Sequence, residues 1–230
     1  MQSIIKKDYD SAFCGNVPLN IINTIQPYGV LIVIDKASLS IIQISENCNE
    51  LLNISSDHLL GNSLLSFISD SQSSELRKEL ENTVAGSRIT LNFTLKSLNK
   101  KCIANLINQD RFYLMEIEPA TEDSGFSVVF DEVKPILARF KNATDTEDLC
   151  SLLAKELKTI SGFDKVMIYQ FDSNWNGLVI AEEKEADMDS YLGLYFPASD
   201  VPRQARALYM QNPYRWIPDA DYVPVKLNPV

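Results

Sequence analysis

The segment FPASDVPRQARALYMQN, residues 196–212, carries the residue types and spacing in this sequence that are best suited to binding a ligand. Two prolines, Pro197 and Pro202, bracket Asp200. Each proline fixes its own φ and lacks a backbone N–H, so the turn between them is restricted in shape. After Pro202 the run RQARALYMQN favours a helix until Pro213 prevents its continuation. The sequence therefore predicts a rigid turn that presents a carboxylate beside a helix.

The predicted helix carries Arg203, Arg206 and Tyr209, so an acceptor, two cations and a phenol ring lie close in sequence. The structural alternative is that Asp200 caps this helix, which is a common use of Asp at such a position. Both arginines would then be ordinary surface residues, with at most a salt bridge. The sequence offers no paired carboxylates, no nucleophile beside a base and no glycine-rich phosphate loop. These observations favour a binding protein and make an enzyme the least favoured class.

The overall charge limits the partners. The chain has 31 acidic and 21 basic residues, and a formal net charge of −10 repels phosphate backbones and anionic lipid headgroups. Charged residues occur within the first ten positions, and no run of apolar residues is long enough for a signal peptide or a membrane span. We expect a cytoplasmic protein that binds neither nucleic acid nor membrane.

The cysteines and the single histidine do not predict a metal site. Cys14, Cys48, Cys102 and Cys150 are dozens of residues apart, which fits neither a CxxC clamp nor a small disulfide framework. Free thiols are expected, and the last three fall in predicted helices and strands as buried packing residues. His58, in SSDHLLG, is predicted to lie on a helix surface, where neither a zinc site nor a catalytic triad can be built around it.

The first half of the chain predicts an α+β domain. The runs GVLIVI and SLSIIQIS, joined by a turn at Asp35, predict a hairpin, and three short helices follow in NCNELLN, SDHLLG and SLLSFIS. An amphipathic helix then places Leu76, Leu80 and Val84 on one face and ends at Gly86. The runs RITLNFTL, KCIANLINQD and RFYLMEIEP predict three more antiparallel strands. This order is that of a PAS domain, which we assign to residues 18–122 after a tail of residues 1–17.

A second domain is expected after the surface segment PATEDSGFS. A helix connects the domains over residues 123–145, and an N-cap signature at Thr146 opens another helix that Gly162 ends. The runs KVMIYQFD and GLVIAEEK then predict a hairpin with the loop Ser-Asn-Trp-Asn. A helix followed by an antiparallel pair matches the start of a GAF domain, over residues 146–230. One further short strand is predicted in YRWIP, and we expect the domain to be truncated at its C-terminal side.

Two motifs carry a resemblance to a known family. The string PASDVP, followed by R-ALY and NPYRWIPD, is very similar to the bilin-contacting motif of phytochrome GAF domains. In CGNVPLNIINTIQPYGVLIVID, Cys14, Pro18 and the IQPYG stretch are spaced as in bacterial phytochromes, where a tail cysteine and an IQPHG stretch precede the first PAS strand. Tyr28 stands where that family most often has His, a change expected to affect packing near the tail more than attachment.

The resemblance implies a site for biliverdin, a linear tetrapyrrole. It implies that the Cys14 thiolate forms a thioether with a vinyl group, that Asp200 meets the pyrrole N–H groups, and that Arg215 binds a propionate in a bidentate contact. The isomerising ring would be surrounded by aromatic side chains, with further wall positions beside them. The aromatic positions are Tyr169, Tyr195, Phe196 and Tyr209, and the remaining wall positions are Met167, Ser199, Val201 and Pro202.

The resemblance further implies a red/far-red photoreceptor that signals by Z-to-E isomerisation to an output module, commonly a histidine kinase. In the family the N-terminal tail threads through a loop of the GAF domain, and VPVKLNPV is similar to the start of that loop. We expect weak bilin affinity for a truncated domain, and a homodimer is a further partner to consider. The competing interpretation is a PAS/GAF interaction or small-ligand module without a chromophore.

Overall fold

The computed structural model describes residues 23–97, 100–120, 126–212 and 214–229. The predicted attachment residue Cys14 and the rest of the tail lie outside the described residues. The chain divides into two compact units. One comprises Leu19–Glu122 together with Trp216–Val230, and the other contains Asp123–Arg215.

The first unit is built on a seven-stranded antiparallel sheet. Its spatial order is β1-β10-β3-β2-β6-β5-β4. The sequence VLIVID of β2 is rich in β-branched residues and is buried on both faces, as a central strand should be. The strands are β1 (Thr24–Ile25), β2 (Val30–Asp35), β3 (Ile41–Ser45), β4 (Arg88–Leu95), β5 (Lys100–Asn108), β6 (Phe112–Pro119) and β10 (Val225–Asn228).

Helices α1 (Cys48–Leu52), α2 (Ser56–Leu59) and α3 (Asp70–Asn82), with a 3-10 turn at Leu64–Phe67, belong to this unit. Their apolar residues join those of the strands in one core, which is fully buried at residues such as Ile32, Leu59 and Met115. Cys48 and Cys102 lie in this core, as predicted, and His58 is exposed on α2.

Helix α3 is shorter than the sequence pattern predicts. It ends at Asn82, so Val84 is not on its buried face but is 74% exposed, and Gly86 lies beyond the helix end. Leu76 and Leu80 are buried as predicted. The backbone at Thr83 is already extended, with ψ of 128°, and the Asn108 side chain donates to the Thr83 carbonyl at 2.7 Å, so the chain leaves the helix there.

The second unit packs helix α5 against an antiparallel sheet of β7, β8 and β9. A bidentate ion pair joins α4 to α5, because Arg139 Nε and Nη2 donate to the two carboxylate oxygens of Glu156 at 2.7 and 2.6 Å. The unit contains α4 (Phe126–Phe140), α5 (Thr146–Ser161), β7 (Lys165–Phe171), β8 (Gly177–Lys184), β9 (Tyr195–Phe196), a 3-10 turn (Ala198–Asp200) and α6 (Arg203–Gln211).

Two local predictions for the second half of the chain are wrong. The N-cap of α5 is Asp145 rather than Thr146, since the Asp145 carboxylate accepts a hydrogen bond from the Asp148 amide at 2.8 Å. The YRWIP run is not a strand: its backbone is irregular as far as Pro218, and the Trp216 carbonyl accepts a hydrogen bond from the Gln26 side chain at 2.8 Å. The C-cap at Gly162 is confirmed, with φ of 68°.

In the part of the chain that the structure describes, no helix combines the length and apolar character needed to span a membrane. The same residues contain no group of His, Cys, Asp and Glu side chains suited to a metal ion.

Candidate functional site

A cavity of about 1180 Å³ opens between the β7–β8 hairpin, the loop before β9 and helix α6. Most of its wall is aromatic or aliphatic, and a few polar groups converge on it, which is the usual character of a small-molecule site. It is lined by Met167, Tyr169, Phe171, Trp175, Val179, Tyr191, Phe196, Asp200, Val201, Arg203, Arg206, Ala207, Tyr209 and Met210.

The structure brings together many of the residues predicted from sequence. The residues that line the cavity are Met167, Tyr169, Phe196, Asp200, Val201 and Tyr209. The residues that do not line it are Tyr195, Ser199, Pro202 and Arg215. Tyr195 is 69% exposed, because the other residue of β9, Phe196, is the one that turns toward the cavity.

Asp200 ends a tight turn at the edge of the cavity. The Asp200 amide donates to the carbonyl of Pro197 at 3.0 Å, which closes the 3-10 turn between the two prolines. Helix α6 begins at Arg203, with Pro202 as its N-cap residue, and no side chain among the described residues caps it. The alternative that Asp200 caps the helix is therefore wrong. Its exposed carboxylate is left available at the cavity.

Arg206 holds this turn in place, a role that the sequence analysis did not assign. Its Nη1 donates to the carbonyl of Ala198 at 3.2 Å and to that of Val201 at 2.5 Å, on both sides of Asp200. The same guanidinium lies 4.7 Å from the centre of the Trp175 ring, within the range of a cation–π contact. One side chain thus links α6, the Asp200 turn and the β7–β8 loop.

The aromatic wall is a connected set of rings. The Tyr169 and Phe171 rings meet edge to face with centroids 5.2 Å apart, and Tyr169 lies 5.9 Å from Phe196. Tyr191 extends the set beyond Phe196 at 6.1 Å, and Trp175 extends it beyond Phe171 at 5.7 Å. Such pairs prefer tilted or edge-to-face geometry. The rings therefore form a continuous surface against which a flat conjugated molecule could pack.

Tyr169 packs directly over Gly177 of the neighbouring strand. Tyr169 is paired with Val179, so Gly177 lies diagonally across from it, and a Cβ at Gly177 would come within 1.7 Å of the tyrosine Cζ. Burial raises the pKa of the Tyr169 phenol, and the nearby Asp200 carboxylate raises it further. Both effects favour the protonated phenol.

Several lining residues were missed by sequence reasoning for identifiable reasons. Trp175 was assigned only to a hairpin loop, and its unusual backbone conformation, with a positive φ of 66°, is known only from the structure. Arg206 falls on the α6 face that also carries Tyr209, a helical spacing that could have suggested the cavity. Gly177 gives no signal beyond a glycine at a strand start. The remaining missed residues are Phe171, Val179, Tyr191, Arg203, Ala207 and Met210.

Chemically, the arrangement suits binding and orientation. Asp200 provides a carboxylate acceptor, Arg203 and Arg206 provide cations, and Tyr169, Tyr191 and Tyr209 provide phenol groups around an apolar wall. These groups fit a planar conjugated ligand with N–H donors and acidic side arms, as a linear tetrapyrrole has. No pair of lining groups forms a nucleophile and base within hydrogen-bond distance in the described residues.

Comparison with known proteins agrees with this architecture. A family model described as a PAS fold matches residues 14–120. Cyanobacterial phytochrome B of Nostoc sp. is 37% identical over 225 residues, which is 96% of this chain and 30% of that protein. A bacteriophytochrome of Xanthomonas campestris pv. campestris is 34% identical over 96% of this chain and 35% of its own length. The chain thus spans about a third of these curated relatives.

Solved structures are similar over most of their length. The chromophore-binding domain of Stigmatella aurantiaca phytochrome P1 superposes with a TM-score of 0.84 at 35% identity, covering 94% of this chain and 72% of that one. The chromophore-binding domain of an unusual bacteriophytochrome from R. palustris gives a TM-score of 0.82 at 32% identity, with 94% and 70% covered. The predicted α+β fold and the predicted family are both confirmed, and the chain belongs to the phytochrome family.

Proposed function

We propose that this chain is a red/far-red photoreceptor module that binds a linear tetrapyrrole in the cavity of its second unit. The observation that carries the proposal is the aromatic cavity of about 1180 Å³ with the Asp200 turn at its edge. The domain limits proposed with it are a tail at residues 1–17, a PAS domain at 18–122, a connecting helix at 123–145 and a GAF domain at 146–230.

We assign a different part of the pigment to each group of binding residues. The Asp200 carbonyl and carboxylate are assigned to the pyrrole N–H groups, since a rigid turn fixes acceptors without a large loss of entropy on binding. Tyr169, Phe196 and Tyr209 are assigned to the terminal ring, against which they exclude water. Arg215 is assigned to a propionate, on the strength of its place in the NPYRWIPD motif.

The pigment is proposed to be biliverdin, attached covalently through Cys14. The support is the position of Cys14 in the tail, four residues before Pro18 and ahead of the IQPYG stretch. The thiolate is the reactive form of cysteine, and it adds to a vinyl group so that a C–S bond forms and a proton is taken up at carbon. Cys14 is preferred because Cys48 and Cys102 are buried in the core, where burial raises the pKa of both thiols.

When bound, the pigment supplies light absorption and a Z-to-E isomerisation. The Tyr169 phenol, whose pKa is raised by burial and by the Asp200 carboxylate, would serve as a hydrogen-bond donor to the bound pigment. The Asp200 turn stays fixed because Arg206 holds its carbonyls from helix α6. We propose that the resulting change in hydrogen bonding is the signal that such a photoreceptor passes to an output domain.

The first test is an absorption spectrum of the chain mixed with biliverdin, recorded in the dark and after red illumination. With biliverdin in excess over the chain, so that weak binding is also detected, we expect a narrow red band that shifts on illumination. Asp200→Ala should lose most of the shift, and Asp187→Ala, an exposed carboxylate of the same unit, should keep it. A spectrum identical to that of free pigment would contradict the proposal and favour the alternative, a small-ligand module without a chromophore.

Attachment is tested separately on a denaturing gel stained with zinc. Cys14→Ala should abolish the fluorescent band of covalently bound pigment, and Cys150→Ala, a partly exposed thiol on α5, should not. Persistent labelling of the Cys14→Ala chain would show that the attachment residue lies elsewhere.

A further inference from the structure

A nearly buried carboxylate, that of Glu182, holds residues Ser190 and Tyr191 in the loop between β8 and β9, residues 185–194. Glu182, on β8, accepts a hydrogen bond from the Ser190 hydroxyl at 2.7 Å through Oε2 and another from the Tyr191 amide at 2.9 Å through Oε1. Only 4% of the Glu182 side chain is exposed. Since Tyr191 is the loop residue that lines the cavity, the carboxylate fixes the backbone of a wall residue.

Lys165, on β7, reaches the same loop from the neighbouring strand. Its Nζ lies 3.9 Å from Glu182 Oε1, and it also donates to the carbonyl of Asp189. The ammonium is 4.0 Å from the centre of the Tyr191 ring, so it contacts the face of the ring as a cation–π partner. Lys165 therefore acts on the ring of Tyr191, and Glu182 acts on its backbone.

The two charges are almost completely removed from water, with 11% of the Lys165 side chain and 4% of the Glu182 side chain exposed. Burial alone would raise the pKa of Glu182, but the hydrogen bonds from Ser190 and Tyr191 and the charge of Lys165 hold it below its usual value. Buried ion pairs contribute little net stability compared with an apolar pair of similar size. What such a pair provides is a fixed arrangement, because each partner must stay where its hydrogen bonds are satisfied.

The pair lies beside the cavity, on the same face of the sheet as Met167. Glu182 is paired across the sheet with Met167, which lines the cavity, and Lys165 is two residues before Met167 on the same strand. Residues two apart on a strand point to the same face. The ion pair and the cavity wall are therefore connected through a single rigid hairpin.

We propose that Lys165 and Glu182 are positioning residues that hold Tyr191 in the cavity wall, where its ring orientation sets the packing of the bound pigment. The part of this inference that concerns the pigment rests on the proposed function. The part that concerns Tyr191 does not. Neither residue is among those that line the cavity, and both act through Tyr191.

The ligand-free test is hydrogen–deuterium exchange of the Tyr191 amide in the 230-residue chain. Glu182→Gln should speed this exchange by about tenfold or more, because a charged hydrogen-bond acceptor is replaced by a neutral one. Arg139→Met, which removes the ion pair with Glu156 between α4 and α5 of the same unit, should leave it unchanged. Glu182→Asp serves as a second variant in case Glu182→Gln does not fold. It keeps the negative charge, but its shorter side chain should not reach the Tyr191 amide, so the exchange should again be faster.

The second test is the absorption spectrum with biliverdin, before and after red light. Lys165→Met should shift or broaden the red band and lower the photoproduct yield, and Lys165→Arg should restore both, since Arg keeps the cation over the ring. In a Tyr191→Leu background, Lys165→Met should have no further effect. Such a dependence on Tyr191 is what a merely structural role for Lys165 would not produce.

The two tests separate the inference from the proposed function. If the unsubstituted chain binds no biliverdin, the proposed function fails, and the exchange of the Tyr191 amide alone decides whether the positioning holds. Unchanged exchange in both Glu182 variants would overturn the inference, as would a Lys165→Met effect that persists in full without the Tyr191 ring. Faster exchange together with a spectral change that requires Tyr191 would establish it.

Discussion

Replacing Gly177 by alanine tests the packing of the candidate site most directly. Gly177 is buried at the start of β8, and the ring of Tyr169 occupies the space that a side chain would take. A Cβ there would lie 1.7 Å from Tyr169 Cζ, 1.9 Å from Cε1 and 2.0 Å from Oη, far inside ordinary contact. Gly177→Ala therefore forces the Tyr169 ring to move.

The size of the effect follows from the contacts that the ring would lose. To restore van der Waals separation the ring must retreat by about 1.5–2 Å. That movement disturbs its edge-to-face contact with Phe171 at 5.2 Å and its contact with Phe196 at 5.9 Å. Each aromatic pair contributes about 0.5–1.5 kcal/mol, and overpacking costs about 1–3 kcal/mol. We expect the free energy of unfolding to fall by about 1–3 kcal/mol.

The assay is urea unfolding in a double-mutant cycle with Tyr169→Ala. In the Tyr169→Ala background the added methyl group meets no ring, so Gly177→Ala should be close to neutral, and the coupling energy should equal about 1–3 kcal/mol. The band with biliverdin should also broaden in Gly177→Ala, because the wall beside the ligand has moved. An equal loss of stability in both backgrounds would refute this reasoning and point to the backbone at residue 177 instead.

Three other predictions follow from local contacts. Arg206→Gln should lower the free energy of unfolding in urea by about 1–2 kcal/mol, because it weakens the hydrogen bonds to the carbonyls of Ala198 and Val201. In the same titration Arg203→Gln, at an exposed residue of the same helix, should change the free energy of unfolding by less than about 0.5 kcal/mol. Asp145→Ala should cost about 1 kcal/mol by removing the cap of α5, whereas Thr146→Ala should cost little, as thermal unfolding will show. The pKa of Glu182 is lower in the folded chain than in the unfolded chain, where it is about 4.3, so the ionised carboxylate stabilises the fold above that pH. This stabilisation is lost as the pH falls through the pKa of the folded state. Acidification from pH 7 should therefore lower the urea midpoint more in the unsubstituted chain than in Glu182→Gln.

The sequence was most informative where a local pattern decides the structure. The prolines around Asp200 predicted the turn and the start of α6, because proline limits its own backbone and that of its neighbours. Apolar runs likewise predicted β2, β7 and β8, and Gly162 predicted the end of α5. In these cases the determining interactions are within a few residues.

The sequence was least informative where a distant partner decides. From the sequence alone Arg206 is predicted to be a surface residue, because only the folded turn places the carbonyls of Ala198 and Val201 next to its guanidinium. Glu182 lies in the polar run AEEK, which gives no sign that its carboxylate is nearly buried against a loop. Gly177 has a reason to be glycine only once Tyr169 is placed across it. Such long-range contacts have no periodic signature along the chain.

Strand β10 shows the same limit at the level of the sheet. Local signals favour YRWIP as a strand, because its aromatic residues have a high strand propensity. In the structure the strand is VKLN instead, because it pairs with two neighbours: Leu227 lies opposite Ser45 of β3, and Lys226 lies opposite Thr24 of β1. The edge of β3 that is available for pairing therefore determines that VKLN forms the strand.

The insertion of β10 between β1 and β3 has a consequence for synthesis on the ribosome. Strand β3 ends at Ser45, and β10 begins at Val225, 180 residues later (225 − 45). At about 5–20 residues per second, β10 is synthesised about 10–40 s after β3. During that interval β1 lacks the strand with which it pairs, and the edge of β3 is open to other chains. A slower translation rate should therefore increase aggregation of the nascent chain, whereas chaperones that cover this edge should reduce it.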